Sequence, residues 1–477
     1  MYAFPSHTAA SIPTSDETQT SDLPPLLVLR PLSDAWLSAL NAKFTLVSPS
    51  SPLSSSVHAA LISGAYNRVD PALLDQYPSL RCLVNTGAGV NHINLEECKR
   101  RGVQVANVGE THSKNVADYA VGLLLDVMRR ITMSDRYVRN GLWVTRGNYP
   151  LGSKREKYHN MESIEGSVQP VLPLVVFITQ PSADFMAAFS TKFHLIPASS
   201  PFSASACAML EYSGFDCVDS ALLDRYPLLR CVVSANAGVD NIDLEECRKR
   251  GILVTNAGQV FSKDVADYAV GLLIDVFRKI TMSDRYVREG LWSTLGNYLL
   301  GSRLGGKRVG IVGLGSIGSA IAKRLEAFGC KISYLSRKPK PTVSYRYIPN
   351  ICDLAAESDI LVVSCALTKE THHIVNKQVL QALGKEGIII NIGRGASIDE
   401  PELVRCLAQG EIKGAGLDVF EHEPNIPKEL IELENVVLTP HQSVFTPEAM
   451  AEVIQICIAN FEAFFAGKPV ITPVVAD

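Results

Sequence analysis

Three glycines in the stretch Lys307–Gly318 have the spacing of a phosphate-binding turn. The stretch reads KRVGIVGLGSIG, in which an apolar run ends at Gly313 and is followed by Gly315 and Gly318. Apolar residues from Ala320 to Leu325 then recur at helical spacing. The pattern predicts a strand, a tight turn and a helix whose first N–H groups and dipole attract a pyrophosphate. A turn without a ligand is the alternative, but the character of both flanks favours a dinucleotide site.

The end of the next predicted strand, Lys331–Leu335, indicates which dinucleotide binds. An acidic residue that holds a ribose 2′-hydroxyl is expected roughly 20 residues beyond the glycine motif. The chain has Ser336, Arg337 and Lys338 there instead. Because a hydroxyl and two cations would bind a 2′-phosphate, the sequence predicts NADPH as the preferred cofactor and NADH as the second. A solvated basic loop is the alternative.

Strand and helix patterns continue to alternate beyond this loop. Near-continuous apolar runs, typical of strands buried on both faces of a parallel sheet, begin at Asp359, Gly387, Gly414 and Asn435. The predicted fold class is α/β, with a doubly wound Rossmann sheet that binds ligands at the carboxyl ends of its strands. Arg394, Glu423 and His441 follow such strands.

Three segments of the chain, in this order, resemble one protein family. They read GLGSIGSAIAKRLEAFG, NIGRGASIDEPELVRCLAQGEIKGAGLDVFEHEP and LTPH. The chain from Leu174 onward is similar to the D-isomer-specific 2-hydroxyacid dehydrogenases, and within them to the plant glyoxylate, hydroxypyruvate and hydroxyphenylpyruvate reductases. The resemblance implies that Arg394, Glu423 and His441 are catalytic. The implied activity is reduction of small 2-keto acids.

The resemblance also implies which residues contact the ligands. Together with the basic loop, the predicted cofactor site comprises Gly313, Gly315, Ser316, Ile317, Ser336, Arg337, Lys338, Ile392 and Asp418. Asp418 would lie near the nicotinamide amide. The predicted substrate site comprises Ala237, Gly238, Arg394 and Trp292. Trp292 would be a lid over the substrate or part of a subunit interface, and no metal is expected.

The chemistry of keto-acid reduction calls for the same side chains. The oxygen that gains charge needs a proton donor and a fixed cation. His441 can donate the proton, and Glu423 would orient the ring and raise its pKa. Arg394 can hold both the keto oxygen and the substrate carboxylate with its planar fork. Taken singly, each residue could equally be an ordinary surface or loop residue.

The chain contains an internal repeat. VADYAVGLLLDVMRRITMSDRYVRNGLW at Val116 recurs as VADYAVGLLIDVFRKITMSDRYVREGLW at Val265, an offset of 149 residues. We call the segments that begin at Leu26 and Leu174 the first and second repeats. Each alternates strands and helices, and a long amphipathic helix is predicted over Val116–Val138, with one face formed by Val116, Ala120, Leu123, Leu124 and Val127.

The repeat sets the predicted domain organisation. Only the second repeat is joined to the nucleotide-binding pattern, so a flavodoxin-like α/β substrate lobe would be present twice. The predicted bounds are a disordered tail over 1–23, the first lobe over 24–153, a linker over 154–172, a substrate domain over 173–255 and 442–477, and an NAD(P)-binding domain over 256–441.

The role of the first repeat has two interpretations. It has no counterpart of Arg394, Glu423 or His441, so it cannot catalyse the reaction. It would be either the remnant of a duplication or fused gene, or a lobe that packs where a second subunit normally lies. The chain would then be a homodimer or an internal pseudo-dimer. A nucleotide-sensing protein without enzymatic activity is the rival function.

Composition limits the cellular setting. The net charge of −4 gives no sign of a nucleic-acid or anionic-membrane surface, and no apolar run approaches the length of a membrane helix. The eleven cysteines are scattered without a CxxC pair, which indicates reduced thiols. Residues 1–22 contain acidic residues but no Lys or Arg, unlike a transit peptide. The sequence therefore predicts a cytoplasmic protein.

Overall fold

The computed structural model describes residues 23–30, 32–62, 68–149, 172–214 and 216–474. Nearly all of the predicted amino-terminal tail and of the predicted linker lie outside these residues. Contacts between the described residues divide the chain into two units. The first unit runs to Ala117 and includes Ser293–Gly296, and the second comprises Asp118–Trp292 and Asn297–Asp477.

The first unit contains a five-stranded parallel sheet with the order β2-β1-β3-β4-β5. Side chains cap two of its helices: the Asp70 carboxylate accepts from the N–H of Leu73, and Asn94 accepts from Glu97. Its elements are β1 Pro25–Val28, α1 Asp34–Asn41, β2 Thr45–Val47, β3 Ala59–Ile62, α2 Pro71–Asp75, β4 Cys82–Asn85, α3 Leu95–Arg100 and β5 Gln104–Asn107.

Three further helices of the first repeat follow β5. They are α4 Ser113–Arg129, α5 Ile131–Arg139 and α6 Leu142–Arg146. The sequence assigns all of 24–153 to one domain, whereas the contacts group the part of the first repeat from Asp118 onward with the second unit. The physical reason is that Tyr137, Val138 and Trp143 are buried in the same apolar core as strands of the carboxyl-terminal sheet.

The second repeat also forms a five-stranded parallel sheet, and its order is β7-β6-β8-β9-β10. Relative to position in the repeat, this is the same order as in the first. Its elements are β6 Leu174–Phe177, α7 Ala183–Ser190, β7 His194–Pro197, β8 Ala208–Glu211, α8 Ser220–Asp224, β9 Cys231–Ser234, α9 Leu244–Lys249, β10 Leu253–Thr255, α10 Ser262–Arg278, α11 Ile280–Arg288 and α12 Leu291–Leu295.

A seven-stranded parallel sheet follows, with the order β13-β12-β11-β14-β15-β16-β17. The prediction of an α/β fold with a Rossmann sheet is confirmed. Its elements are β11 Arg308–Val312, α13 Ser316–Ala327, β12 Lys331–Leu335, β13 Arg346–Tyr347, α14 Ile351–Ala356, β14 Ile360–Val363, α15 Lys377–Leu383, β15 Ile388–Asn391, α16 Glu400–Ala408, β16 Gly414–Leu417, α17 Lys428–Glu432, β17 Val436–Leu438 and α18 Pro447–Phe465.

The helix α18 returns from this sheet to the second repeat. Its Phe461 ring lies 6.0 Å from that of Phe189 and 5.5 Å from that of Phe193. The segment beyond α18 continues in the same direction, since Pro473 forms an antiparallel bridge with Thr255. The carboxyl terminus therefore completes the packing of the second-repeat lobe.

The prediction of one helix over Val116–Val138 is wrong. Helix α4 ends at Arg129, Arg130 takes a left-handed φ of 56°, and α5 begins at Ile131. The carboxylate of Asp126 accepts hydrogen bonds from the N–H and the hydroxyl of Thr132, which holds the new helix start. Hydrophobic periodicity missed this break because Arg130 is not a glycine, the residue that usually marks a left-handed position.

The apolar face predicted for this helix is also not buried in the first repeat. Leu123, Leu124 and Val127 are 41%, 58% and 74% exposed. The corresponding face of α10 is buried against the seven-stranded sheet, where Leu272 and Val276 lie against Gly416. The same sequence is therefore covered in one repeat and uncovered in the other, because only the second repeat continues into that sheet.

The sequence predicts reduced thiols and no membrane-spanning helix. All eleven cysteines are free thiols. Burial raises the pKa of Cys231 to about 12. Within the described ranges, no helix combines the length and apolar character that crossing a membrane requires.

Candidate active site

The glycine-rich turn between β11 and α13 has the shape that the motif predicts. Gly313 has a φ of 97°, and a Cβ there would lie 2.6 Å from the backbone of Cys365. Gly315 precedes α13 and has open space around it, whereas a side chain at Gly318 would collide with the carbonyl of Gly313. One glycine permits the turn, one leaves room for phosphates and one allows close packing, so the residues present fit a pyrophosphate.

Helix α13, which follows the glycine-rich turn, begins at Ser316, and Ile317 is its second residue. Its twelve residues end at Ala327, so its first N–H groups carry the positive end of a full helix dipole. Ser316 also lines a cavity of about 610 Å³ with residues of α10 and α18, among them Lys263. Both features favour an anion at the start of α13.

The basic loop lies at the carboxyl end of the neighbouring strand. β12 pairs with β11 along its whole length and ends at Leu335. Arg337 and Lys338 are exposed, and the hydroxyl of Ser336 donates to the carbonyl of Lys338 at 2.7 Å. Ile392 follows β15 at the same edge of the sheet and is buried. The predicted cofactor residues therefore lie at carboxyl ends of strands of one sheet.

His441 and Glu423 form an ion pair. Nδ1 of His441 lies 2.8 Å from Oε2 of Glu423. The other carboxylate oxygen of Glu423 accepts from the N–H of Phe420 at 3.0 Å. Because both oxygens are engaged, the carboxylate is fixed, and it fixes the ring in turn. Nε2 of His441 is left as the nitrogen that can reach a substrate.

The backbone at His441 is held in an unusual conformation. Its φ is 48°, in the left-handed region that non-glycine residues rarely adopt. The buried carboxylate of Asp418 accepts from the N–H groups of Gln442 and Ser443 at 2.8 and 2.9 Å and from the hydroxyl of Thr439 at 2.7 Å. Asp418 therefore shapes the turn that carries His441. The sequence predicted only a contact with nicotinamide, which stays a prediction.

Arg394 follows β15 and reaches toward the second repeat. Its Nε lies 3.1 Å from both carboxylate oxygens of Asp240, and its Nη2 lies 3.0 Å from Oδ1. Any side chain at position 238 would collide with the Arg394 guanidinium, so the close approach requires Gly238. Asp240 is a residue that the sequence analysis missed, although it lies only two positions after Gly238 in the same loop.

The charges around His441 determine its protonation. Burial favours the neutral ring and lowers its pKa, but the charge and hydrogen bond of Glu423 act in the opposite direction and Asp418 adds to them. The positive charge of Arg394 acts in the direction of burial and lowers the pKa. The net effect raises the pKa of His441, so the ring is more readily protonated near neutral pH.

Two predicted substrate residues have different surroundings. The carbonyl of Ala237 accepts from the side chain of Asn256 at 2.7 Å, which fixes the loop after β9 next to Arg394. Trp292 lies in α12 and is 52% exposed. Its role as a lid stays a prediction.

A further polar group lies near Glu423 and was not predicted. Nε2 of His373 lies 2.8 Å from Oε1 of Glu421, and the rings of His372 and His373 are stacked. The potential ligand atoms of these three residues all lie within 4.8 Å of one another, so the group has a composition that could hold a metal ion. The hydrogen bond and the ring stacking already account for the positions of these side chains. In the sequence, the only signal for the group is the pair of adjacent histidines.

Two domain models of one protein family match this chain. The model of the D-isomer specific 2-hydroxyacid dehydrogenase NAD binding domain matches residues 270–443, and the model of the catalytic domain of the same family matches 27–195. A glyoxylate/hydroxypyruvate reductase of Arabidopsis thaliana is 50% identical over 316 residues, which is 64% of this chain and 98% of the relative. A hydroxyphenylpyruvate reductase of Plectranthus scutellarioides is 51% identical over 257 residues, covering 54% and 82%.

A solved structure is similar over the same extent. The NADPH-dependent glyoxylate/hydroxypyruvate reductase of Sinorhizobium meliloti, in complex with NADP and malonate, has a TM-score of 0.61 and 33% identity. The match covers 64% of this chain and 97% of that one. One subunit of such a protein therefore accounts for about two thirds of the chain.

Replacing Glu423 by Gln tests the electrostatics. The variant loses the negative charge beside His441, so we expect the pKa of His441 to fall. The measurement is the pH dependence of histidine acylation, followed on the peptide that contains His441 by mass spectrometry. The midpoint should move to lower pH.

The matched control is Glu421→Gln, because Glu421 pairs with His373 instead. That variant should leave the His441 midpoint unchanged. An unchanged midpoint in Glu423→Gln would contradict the account of the pair.

Proposed function

We propose that this chain, which belongs to the D-isomer-specific 2-hydroxyacid dehydrogenase family, reduces small 2-keto acids with NADPH. The observation that carries the proposal is the His441–Glu423 pair at the carboxyl edge of the sheet, the edge on which Arg394 and the glycine-rich turn also lie. A proton donor, a fixed cation and a dinucleotide cradle are the groups that the reaction needs.

The proposed mechanism assigns one task to each side chain. Bound NADPH supplies the hydride that the keto carbon receives. His441 in its protonated form donates its Nε2 proton to the keto oxygen, and Glu423 stabilises the imidazolium before transfer. Arg394 binds the substrate carboxylate and stabilises the charge that develops on the oxygen. The N–H groups of Ala237 and Gly238 are proposed to bind the carboxylate as well.

Asp240 holds the Arg394 guanidinium in position in this proposal. In the structure the guanidinium is paired with Asp240, which holds it in one orientation. Its Nη1 donates to the carbonyl of Gly393 at 3.0 Å. Such fixed partners keep the cation in place without reorganisation when the substrate arrives, which is the condition for electrostatic catalysis.

The proposed substrates are hydroxypyruvate and glyoxylate first and hydroxyphenylpyruvate next. The similar proteins from Arabidopsis and Plectranthus are reductases of these acids by name. Val444 and Phe445, close to His441 in the chain, are proposed to limit the size of the substrate side chain. One additional ring or hydroxyl changes pocket preference by only a few kcal/mol, so the ranking depends on pocket shape.

The preference for NADPH is proposed from the loop after β12. Ser336, Arg337 and Lys338 occupy the position where an acidic residue would repel a 2′-phosphate. The similar structure from Sinorhizobium meliloti is named as NADPH-dependent. The chain takes NAD(P)H, and these residues favour the phosphorylated form.

Steady-state kinetics with a His441→Gln variant tests the function. We expect oxidation of NADPH with hydroxypyruvate and glyoxylate, slower turnover with NADH, and a kcat that falls by about 100-fold or more in the variant, because general acid catalysis typically contributes 10²–10⁴-fold. Nucleotide binding should persist in the variant, since the glycine-rich turn is unchanged.

The control is His372→Gln, which removes an exposed histidine on the same sheet edge and should leave kcat near the wild-type value. Nucleotide binding without turnover of any of the three acids would contradict the enzyme proposal. That result would favour the rival function, a nucleotide-sensing protein.

We further propose that the first repeat is a second substrate lobe and that the two repeats form an internal pseudo-dimer. Their helices make reciprocal contacts. A Cβ at Gly122 would collide with Ile274 and Ile280. A Cβ at Gly271, the equivalent glycine of the second repeat, would collide with Ile131, which is the first-repeat equivalent of Ile280. This reciprocity is the mark of a two-fold interface.

Three further contacts obey the same symmetry. Arg129 stacks over the ring of Tyr268 at 5.0 Å, and Arg278 stacks over that of Tyr119 at 4.8 Å. The hydroxyls of Thr132 and Thr281, equivalent residues of the two repeats, lie 3.1 Å apart. The surface that would otherwise pair two chains is thus occupied within one chain.

The mass in solution tests the pseudo-dimer. Size-exclusion chromatography with light scattering should give a particle of one chain, 51.8 kDa, because the face of α10 around Gly271 is already covered by the first repeat. A stable homodimer of the whole chain would contradict internal pairing. The cytoplasmic location stays a prediction.

A further inference from the structure

Helix α5 of the first repeat covers the free edge of β17, the last strand of the seven-stranded sheet. Oδ1 of Asp135 accepts a hydrogen bond from the N–H of Leu438 at 2.9 Å. Arg139 is paired with Asp135 at 2.8 Å and donates to the carbonyls of Leu433 and Val436. An edge strand leaves such backbone groups without ladder partners, so α5 supplies the partners that another strand would give.

Arg129, at the end of α4, reaches the segment on the other side of His441. Its Nη2 donates to the carbonyl of Ser443 at 2.8 Å, and its Nη1 donates to the carbonyl of Asp264 at 2.7 Å. The side chain of Gln442 donates back to the carbonyl of Arg129 at 3.3 Å. The guanidinium is 9% exposed. It therefore joins the turn after His441 to the start of α10.

Apolar contacts of the first repeat support the loop of Glu423. The indole of Trp143 packs edge-on against Phe420, with centroids 5.8 Å apart. The N–H of Phe420 is the group that holds one oxygen of Glu423. Trp143 is only 4% exposed and belongs to the same core as Leu438.

The second repeat has the same sequence without these contacts. ITMSDRYVR occurs at Ile131 and at Ile280. Asp284 corresponds to Asp135, but its side chain is 28% exposed, against 1% for Asp135, and it pairs with Arg136 and Arg288. The two repeats therefore offer equivalent residues, Asp135 and Asp284, that differ in burial, in ion-pair partners and in contact with the sheet that carries His441.

We infer that Asp135 and Arg129 of the first repeat are positioning residues for His441. His441 lies between the two anchored groups, three residues after Leu438 and two before Ser443. Its left-handed backbone is costly and persists only where surrounding contacts impose it. The inference rests on the proposed function in assigning His441 a catalytic task. It makes the first repeat part of the catalytic unit.

Matched variants test the inference in the full chain. Asp135→Ala should lower kcat with NADPH and hydroxypyruvate by about 10- to 100-fold, because small displacements of a catalytic group have effects of that size. The KM for NADPH should stay unchanged. Hydrogen–deuterium exchange should become faster in the peptide that contains residues 438–443. Asp284→Ala, the equivalent change in the second repeat, should alter neither kcat nor that exchange.

A second pair covers the case in which Asp135→Ala does not fold because Arg139 loses its partner. Arg129→Met removes the bond to Ser443, and Arg278→Met is the equivalent change in the second repeat, where it removes the stacking contact with Tyr119. Equal losses of kcat within both pairs, or unchanged exchange at 438–443 in Asp135→Ala and Arg129→Met, would overturn the inference. A wild-type chain that binds nucleotide but turns over none of the acids would refute the proposed function, while the exchange data would still decide whether the first repeat holds this segment.

Discussion

The backbone groups at the edge of β17 need hydrogen-bond partners, and this requirement ties the first repeat to the rest of the chain. Asp135 and Arg139 supply hydrogen-bond partners for backbone groups of this strand. Tyr137, Val138 and Trp143 are buried in the apolar core beneath it. Each buried aromatic or aliphatic side chain contributes about 1.5–3 kcal/mol relative to exposure. These contacts group α5 and α6 with the sheet that carries His441.

The two repeats have nearly the same sequence in this region but experience different surroundings. In the second repeat the long helix packs on the seven-stranded sheet, and in the first the same face is largely exposed at Leu124 and Val127. Conversely, α5 is buried and α11 is more exposed, as Val138 and Val287 show at 2% and 54%. Only the second repeat is followed by the seven-stranded sheet, and α5 of the first repeat packs against that same sheet.

Much of the fold and of the site could be predicted from the sequence. Glycine spacing located the cradle at Gly313, and apolar runs located the strands of the sheet, because both signals are local. The helix break at Arg130 was missed because a single left-handed residue leaves no periodic trace, and the cause, the Asp126 carboxylate, acts through a side-chain bond. Asp240 and Asp135 were missed because their partners are 154 and 303 residues away in the chain, a separation on which one sequence carries no information.

The most direct test of the account is whether the two repeats pack within one chain. The hydroxyls of Thr132 and Thr281 lie 3.1 Å apart, so the double variant Thr132→Cys/Thr281→Cys should form a disulfide under mild oxidation. The account predicts a cross-link inside a single chain, seen on non-reducing electrophoresis as a compact species of one-chain mass that is missing from either single variant. Covalent dimers of twice that mass, with no internal cross-link, would contradict it.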